Sequence, residues 1–479
     1  MAQKTEISSK IPPLESLKNS QKIDESGRIV VSRAAKFARG CIVTGIAILF
    51  VYGLYIAVQL ADPLAIFASI MPITTLILLT VAWCFYRSPQ FRNGQVNSNN
   101  PLVSVIIPVY NQRSMIELVI EAIFRSTYRN FEIVVVNDGS NDGTREILNE
   151  LAKRHPELKV IHKKNAGKRK AVATGFKNCA GKHIILIDSD SIVHPDAIRK
   201  LVEALESDPR VGAVVGNAKP WNANKSWLTK FQSSWYDYSF NIHKSYESHF
   251  GLVQCCSGCM SAYRREAIIE FIPIWMSTNM LVGDDRQLTS LVHAKSWAKK
   301  ELVYRFAQKS FRSAAKYDDA EDRLLTAQAM LQWKTVYSAA AVVYTDVPES
   351  FKGYWKQQVR WRRGYLRVQF FVASFIWQNH PIVAFIFYIE FMSLLTMPMV
   401  LFTMFVYMPF IMGEPWYSLY FIATNLVYAS AEGLDTRFRN AGDRNWKYRP
   451  LVVIILNLIT GPLLLYALAT MRTNKWGTR

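Results

Sequence analysis

The sequence is short of cysteine, of acidic residues and of any nucleic-acid-binding motif. Six cysteines in 479 residues do not make a disulfide scaffold. A lone Cys-x-x-Cys at Cys256–Cys259, with no second pair or nearby histidines, is a weak zinc signal. Asp plus Glu number 37 against 57 Lys plus Arg, a formal charge of +20. That excess suits an anionic membrane face or phosphorylated substrates. With no zinc finger or RNA-binding aromatic motif present, nucleic acid is not an expected partner. The N-terminus lacks an early apolar run, so no signal peptide is read. What is plentiful is apolar: half of the residues are hydrophobic, which excludes a disordered chain.

The apolar residues are gathered near the N-terminus and in the last hundred positions. Residues 1–35 are polar and read as a flexible cytosolic tail. CIVTGIAILFVYGLYIAVQL at 41–60 carries no charge and is long enough to cross a bilayer. Asp62-Pro63 breaks the run and a second stretch follows at 64–86, so 36–88 is expected to be a transmembrane hairpin. Arg33, Lys36 and Arg39 before it and Arg87 and Arg92 after it place both flanks on the cytoplasmic side. The basic, aromatic stretch 351–380 reads as amphipathic interfacial helices. Two spans are expected in 381–435. In 436–479 a basic cytosolic loop precedes an apolar segment, 451–471, holding Asn457, Gly461 and Pro462. A basic tail after it favours a re-entrant or interfacial segment.

Between these lies 100–350, where short β-branched runs alternate with amphipathic stretches. LVSVIIPVY, FEIVVVNDGS, KVIHKK and HIILIDSDS read as strands, and the alternation predicts a parallel, doubly wound α/β sheet. Ligands in such folds sit at the carboxyl ends of strands, where NDGS and DSDS fall. Asp188 and Asp190, one residue apart after a buried strand, suit one oxygen-ligated Mg²⁺ or Mn²⁺ shared with a diphosphate. A solvated turn explains the same residues without function. Lys168 and Arg169 precede a helical stretch and suit anionic phosphates. Gln357, Arg360 and Trp361 offer a planar fork and a flat ring for phosphate and sugar, although aromatic anchoring at a membrane explains them too.

As a set, SVIIPVYN, VVVNDGSNDGT, NAGKRKA, LIDSDS, AKPWN, CSGCMSAYRREAI, TDVPES and QQVRW resemble processive family 2 glycosyltransferases. Within that group the likeness is to hyaluronan synthases and their chitin and poly-N-acetylglucosamine synthase relatives, over roughly 100–479. The resemblance implies a GT-A-type transferase domain at 100–350, mostly parallel sheet with flanking helices, beside transmembrane and interfacial helices. It implies UDP-sugar donors, a growing polysaccharide acceptor, the lipid bilayer as partner, and a plasma-membrane location with the catalytic domain in the cytosol.

Residue by residue, it implies that Pro108, Val109, Tyr110 and Asp138 face the uridine. Asp188 and Asp190 are expected to hold metal and diphosphate, Asp190 most directly, and Lys168 and Arg169 to touch the donor. Gln357, Arg360 and Trp361 are expected at the donor–acceptor junction and Cys255 or Cys256 near the acceptor sugar. Trp476 and Arg479, in the terminal WGTR, are expected to close over the nucleotide. The general base has two candidates. Asp285 lies in Gly283-Asp284-Asp285-Arg286, the form typical of hyaluronan synthases. Asp322 lies in Glu321-Asp322-Arg323, closer to chitin-type synthases. The spacing from Asp322 to QQVRW matches the family, and this favours Asp322. Hyaluronan is the leading expected product, with N-acetylglucosamine homopolymers and transfer to a lipid acceptor as alternatives.

Overall fold

The computed structural model describes residues 21–59, 73–90, 100–277, 283–297, 333–378 and 380–470. Asp322, Trp476 and Arg479 lie outside the described residues. The first apolar run forms α1 (Arg33–Gln59). Its outward face is Ile48, Leu49, Val51, Tyr52, Tyr55 and Val58, all exposed in the isolated chain.

Eight strands then build one sheet: β1 (Val103–Val109), β2 (Phe131–Asn137), β3 (Leu158–His162), β4 (His183–Ile187), β5 (Ile192–Val193), β6 (Val211–Pro220), β7 (Met260–Arg264) and β8 (Lys334–Thr345). Their spatial order is β3-β2-β1-β4-β7-β6-β8-β5. Helices α2 (Ile116–Phe124), α3 (Thr144–Arg154) and α4 (Lys168–Lys177) are the crossovers that join β1 to β2, β2 to β3 and β3 to β4. A fourth helix, α5 (Ala197–Glu206), buries Ile198, Leu201, Val202 and Leu205, one stripe of its surface. β1 and β4 are buried along their whole length, as strands covered on both faces must be.

The sheet is mixed rather than wholly parallel. β1, β2, β3 and β4 pair in parallel, as does β6 with β8. β7 runs antiparallel between β4 and β6, and β5 antiparallel to β8. The reason lies in the connection. The chain leaves β6 through α6 (Trp227–Tyr238) and a further helical excursion, and re-enters beside β4 from the opposite end. Ile187 at the end of β4 therefore faces Met260 at the start of β7. Whatever follows β4 is brought beside whatever precedes β7.

α4 sits close on the sheet. A Cβ on Gly175 would come within 2.3 Å of Ile106 Cγ2, so only glycine permits this approach. That contact seats the last turn of α4 on the middle of β1.

The longer helices that follow are α7 (Asp284–Trp297), α8 (Phe351–Ala373), α9 (Pro381–Phe402), α10 (Trp416–Arg439) and α11 (Arg449–Ala469). Among the described residues two helical segments are long and apolar enough to cross a membrane, Arg33–Ile56 and Pro381–Ile411. The last apolar segment is a pair, Asn445–Ile459 and Gly461–Ala469, bent by 41°. A second core, with Leu79, Leu366, Phe375, Val383, Phe387 and Leu464, joins α8, α9 and α11.

Buried ion pairs tie these helices to the sheet domain. Arg39 of α1 donates from Nε and Nη2 to Asp435 Oδ1 of α10, at 3.1 and 2.5 Å. Arg439 donates to Asp435 Oδ2 at 2.7 Å and, through Nη1 and Nη2, to both carboxylate oxygens of Asp237 on α6 at 3.1 and 2.5 Å. Arg449 reaches Glu432 at 2.7 Å.

Two buried histidines make stability pH-dependent. His183 lies 2.5 Å from Glu206 and His293 2.5 Å from Thr335 Oγ1. Burial pushes each down to about 4, against the opposing pull of Glu206 on His183. Between pH 6.5 and 4 the unfolded chain takes up protons at these positions and the folded chain does not. Stability is therefore full above that window and lost as pH falls through it, roughly 2 kcal/mol per histidine at pH 5. The thermal midpoint of the solubilised protein is expected to drop between pH 7 and pH 5. An unchanged midpoint would refute the assignment.

Candidate active site

The site gathers at the carboxyl ends of β1, β2 and β4. At the end of β2, Asp138 is buried, and its amide donates to the Val109 carbonyl at 2.9 Å. Its Oδ1 accepts from Lys163 Nζ at 2.5 Å and from the Ala166 amide at 3.0 Å, and its Oδ2 from the Gly167 amide at 2.7 Å. Of roughly four acceptor positions on a carboxylate, one remains for a ligand. Asp138 thus shapes the loop that leads into α4. Pro108 and Val109 are strand residues paired with Val136 and Asn137, and Tyr110 beyond them is exposed. Asn111 takes a positive φ of 51°, held by Ser140 Oγ on its amide and by its own Oδ1 accepting from the Asn141 amide.

Beyond β4, the Asp188 carboxylate pairs with Lys168 Nζ, the first residue of α4. Burial pushes the Lys168 ammonium down, but the charge of Asp188 outweighs it and the net direction is up. Lys168 stays cationic. Its neighbour Arg169 turns away. Arg169 is buried and grips Asp284 Oδ1 from Nε and Nη2 at 2.9 and 2.6 Å.

The antiparallel entry of β7 brings Cys255–Cys259 over Asp188. A Cβ on Gly258 would lie 3.2 Å from both Asp188 Oδ2 and Lys168 Nζ. The Gly258 amide donates to Asp285 Oδ2 at 3.1 Å. Asp188 and Asp285 thus flank one glycine. Asp285 is in the first turn of α7, where Thr289 Oγ1 donates to its carbonyl at 2.8 Å and accepts from the Cys256 amide at 2.8 Å. The Cys255 carbonyl accepts from Lys244. Burial pushes the thiols of Cys255 and Cys256 up to about 11 and 12. They are protonated packing groups, not nucleophiles.

Trp361 of α8 stacks on Trp235 of α6, centroids 5.5 Å apart at 25°. Beside Trp235 is Tyr236, a buried phenol whose pKa is raised well above the usual range by burial and by Cys259, Asp190 and Asp188, with Arg360 opposing. Asp190 and Arg360 therefore lie near the same ring. The Gln357 amide oxygen is buried with no hydrogen-bond partner among the described residues, a state that costs about 1–3 kcal/mol unless a ligand donates to it.

The structure thus brings together Lys168, Asp188, Cys255, Cys256 and Asp285, and separates Arg169 from them by its own partners. Trp235, Tyr236, Gly258 and Asp284 are additions that the sequence reading did not single out. Among the described residues no group of three His, Cys, Asp or Glu side chains is placed to hold a metal alone. Asp188 and Asp190 supply oxygen only, which fits a hard divalent ion that takes its other ligands from diphosphate and water.

The chain is similar to known proteins over much of its length. Residues 104–272 match the model of glycosyl transferase family 2. A hyaluronan synthase of Streptococcus pyogenes is 27% identical over 400 residues, 80% of this chain and 84% of the relative. An N-acetylglucosaminyltransferase of Rhizobium meliloti is 27% identical over 388 residues, 79% and 82%. Among solved structures, a mannosyltransferase from Pyrobaculum calidifontis in complex with GDP-Man and Mn²⁺ aligns with a TM-score of 0.48 at 18% identity, covering 91% of this chain and 100% of that one.

Proposed function

We propose that this chain, a glycosyltransferase carrying a family 2 domain, polymerises UDP-activated sugars by inverting β-transfer at the cytosolic face of the plasma membrane and passes the product out between its membrane helices. The observation that carries the reading is the pair of carboxylates, Asp188 and Asp285, flanking Gly258. One, Asp188, holds the Lys168 ammonium, and that cation suits the anionic leaving group. The other, Asp285, lies across Gly258 from it and suits the base. Asp285 takes the proton of the acceptor hydroxyl as that oxygen attacks the anomeric carbon. The bond to the diphosphate oxygen breaks on the opposite side and UDP leaves.

Lys168 is already cationic and needs only to swing from Asp188 to a diphosphate oxygen. A divalent ion held by Asp188 and Asp190 would neutralise further charge on the leaving group. Trp361, braced by Trp235, offers a ring face to the acceptor sugar. Gln357 has an unused buried acceptor for a sugar hydroxyl. This reading prefers Asp285 over Asp322, reversing the preference from spacing, because Asp285 is seen beside Asp188.

Hyaluronan, from UDP-N-acetylglucosamine and UDP-glucuronate, is the product best supported by the Streptococcus relative and by the Gly-Asp-Asp form. The Rhizobium relative, matched at equal identity, keeps an N-acetylglucosamine homopolymer as the second reading. Purified protein with Mg²⁺ or Mn²⁺ and each donor, alone and together, decides between them. Polymer only with both donors, digestible by hyaluronidase, is expected. Polymer from UDP-N-acetylglucosamine alone would give the second reading. UDP release without polymer from any donor set would overturn processivity.

A further inference from the structure

Lys168 and Arg169 are adjacent, both basic, and both at the opening of α4, yet they do different things. Arg169 is 7% exposed. Its Nε and Nη2 donate to Asp284 Oδ1, Nη2 also to Gln287 Oε1 at 2.8 Å, and Nη1 to the Trp275 carbonyl at 2.9 Å. At least four of the five guanidinium N–H groups are therefore occupied. The Trp275 ring caps the guanidinium, with its centroid 5.0 Å from Cζ. Little remains with which to meet a phosphate.

What Arg169 holds is the first turn of α7. Asp284 and Gln287 are three residues apart on one face of that turn, and Asp285 lies between them. Gly283, with φ of +80°, has no room for a side chain: a Cβ there would sit 2.9 Å from Gly364 Cα of α8. The turn is thus pinned on one side by Arg169 and on the other by α8. The one acidic side chain it turns towards Gly258 and Asp188 is Asp285.

We propose that Arg169 is a positioning residue, which fixes the Gly283–Gln287 turn through Asp284 and Gln287 and so aims Asp285 at the acceptor hydroxyl, without touching the donor. The proposal rests on the reading of Asp285 as base. It divides the Asp-Asp pair into an anchor, Asp284, and a working carboxylate, Asp285. The anchor geometry is a fork on one carboxylate oxygen, which lysine does not reproduce.

Arg169→Met, Arg169→Lys and Asp284→Asn, each alone and on an Asp285→Asn background, test it in the full-length protein in nanodiscs. The readouts are kcat, donor KM, and UDP affinity by calorimetry, with a thermal melt for folding. Arg169→Met is expected to lower kcat by about 100-fold, as a small misplacement of a reacting group does. Donor KM and UDP affinity should stay within about twofold, and no further loss should occur on the Asp285→Asn background, because residues that act as a unit are non-additive. Arg169→Lys should recover little of the loss. If Arg169→Met does not fold, Arg169→Lys and Asp284→Asn carry the same test. A tenfold or greater weakening of UDP binding would show that Arg169 meets the donor and overturn the proposal, while leaving Asp285→Asn inactive. An additive loss on the Asp285→Asn background would overturn it as well. An Asp285→Asn enzyme that keeps its kcat would remove the base reading and the proposal together.

Discussion

Asp285→Asn is expected to lower kcat by about 10²–10⁴-fold, the range that removal of a positioned general base produces, with donor KM little changed. Asparagine keeps the size of the side chain and an acceptor for the Gly258 amide, so the loop at Cys255–Cys259 should hold its place. What is lost is the ability to take the acceptor's proton. Asp322→Asn, measured beside it, is expected to be far milder. The comparison is clean because UDP affinity reports the donor site separately: Lys168 and Asp188 are on the far side of Gly258 and keep their pairing. An Asp285→Asn enzyme with near-normal kcat, paired with a dead Asp322→Asn, would move the base to the second Glu-Asp copy.

The largest stability effect is expected at Asp435. Its side chain is 1% exposed and takes Arg39 on one oxygen and Arg439 on the other. Removing one member of a buried ion pair costs about 3–5 kcal/mol, because the partner is left charged and unpaired. Asp435→Leu strands two guanidinium groups, of which Arg439 keeps Asp237 and Arg39 does not. The folded yield and thermal midpoint of the solubilised protein should fall sharply. Adding Arg39→Met should restore part of the loss, since deleting both partners removes the unpaired charge. A single variant that melts like the parent would show that the pair contributes nothing net.

Much of this was legible from residue order. The strands show as β-branched runs, and their carboxyl ends mark where Asp138 and Asp188 fall, because a buried parallel strand must be apolar throughout. The antiparallel entry of β7 was not legible. Cys255–Cys259 reads as a motif in the chain, but only the register of Ile187 with Met260 puts Gly258 on Asp188. Lys168 and Arg169 look interchangeable in a row of basic residues. Successive helical positions point about 100° apart, so one faces the strand end and the other faces α7. Trp235 and Tyr236 escaped because an aromatic pair within an amphipathic helix reads first as core, which Tyr236 also is. A usable signal was the run Trp235-Tyr236-Asp237-Tyr238, dense in polar-tipped aromatics behind a Ser226–Thr229 capping box. Spacing favours Asp322, which lies outside the described residues; the reading of Asp285 as base rests on its place across Gly258 from Asp188.

The Arg39–Asp435 pair also sets a schedule for synthesis. Its members are 396 residues apart in the chain. A ribosome adding about 5–20 residues per second needs roughly 20–80 s to deliver the second after the first. During that interval α1 is made with an arginine whose permanent neighbour does not exist, and the whole sheet domain is made before it arrives. Arg39 lies at the charged end of α1, where water or lipid headgroups can solvate it meanwhile. This fastening of α1 forms only once residue 435 has been made, so it is a late event, and a ribosome that stops before it leaves the opening helix without its ion pair.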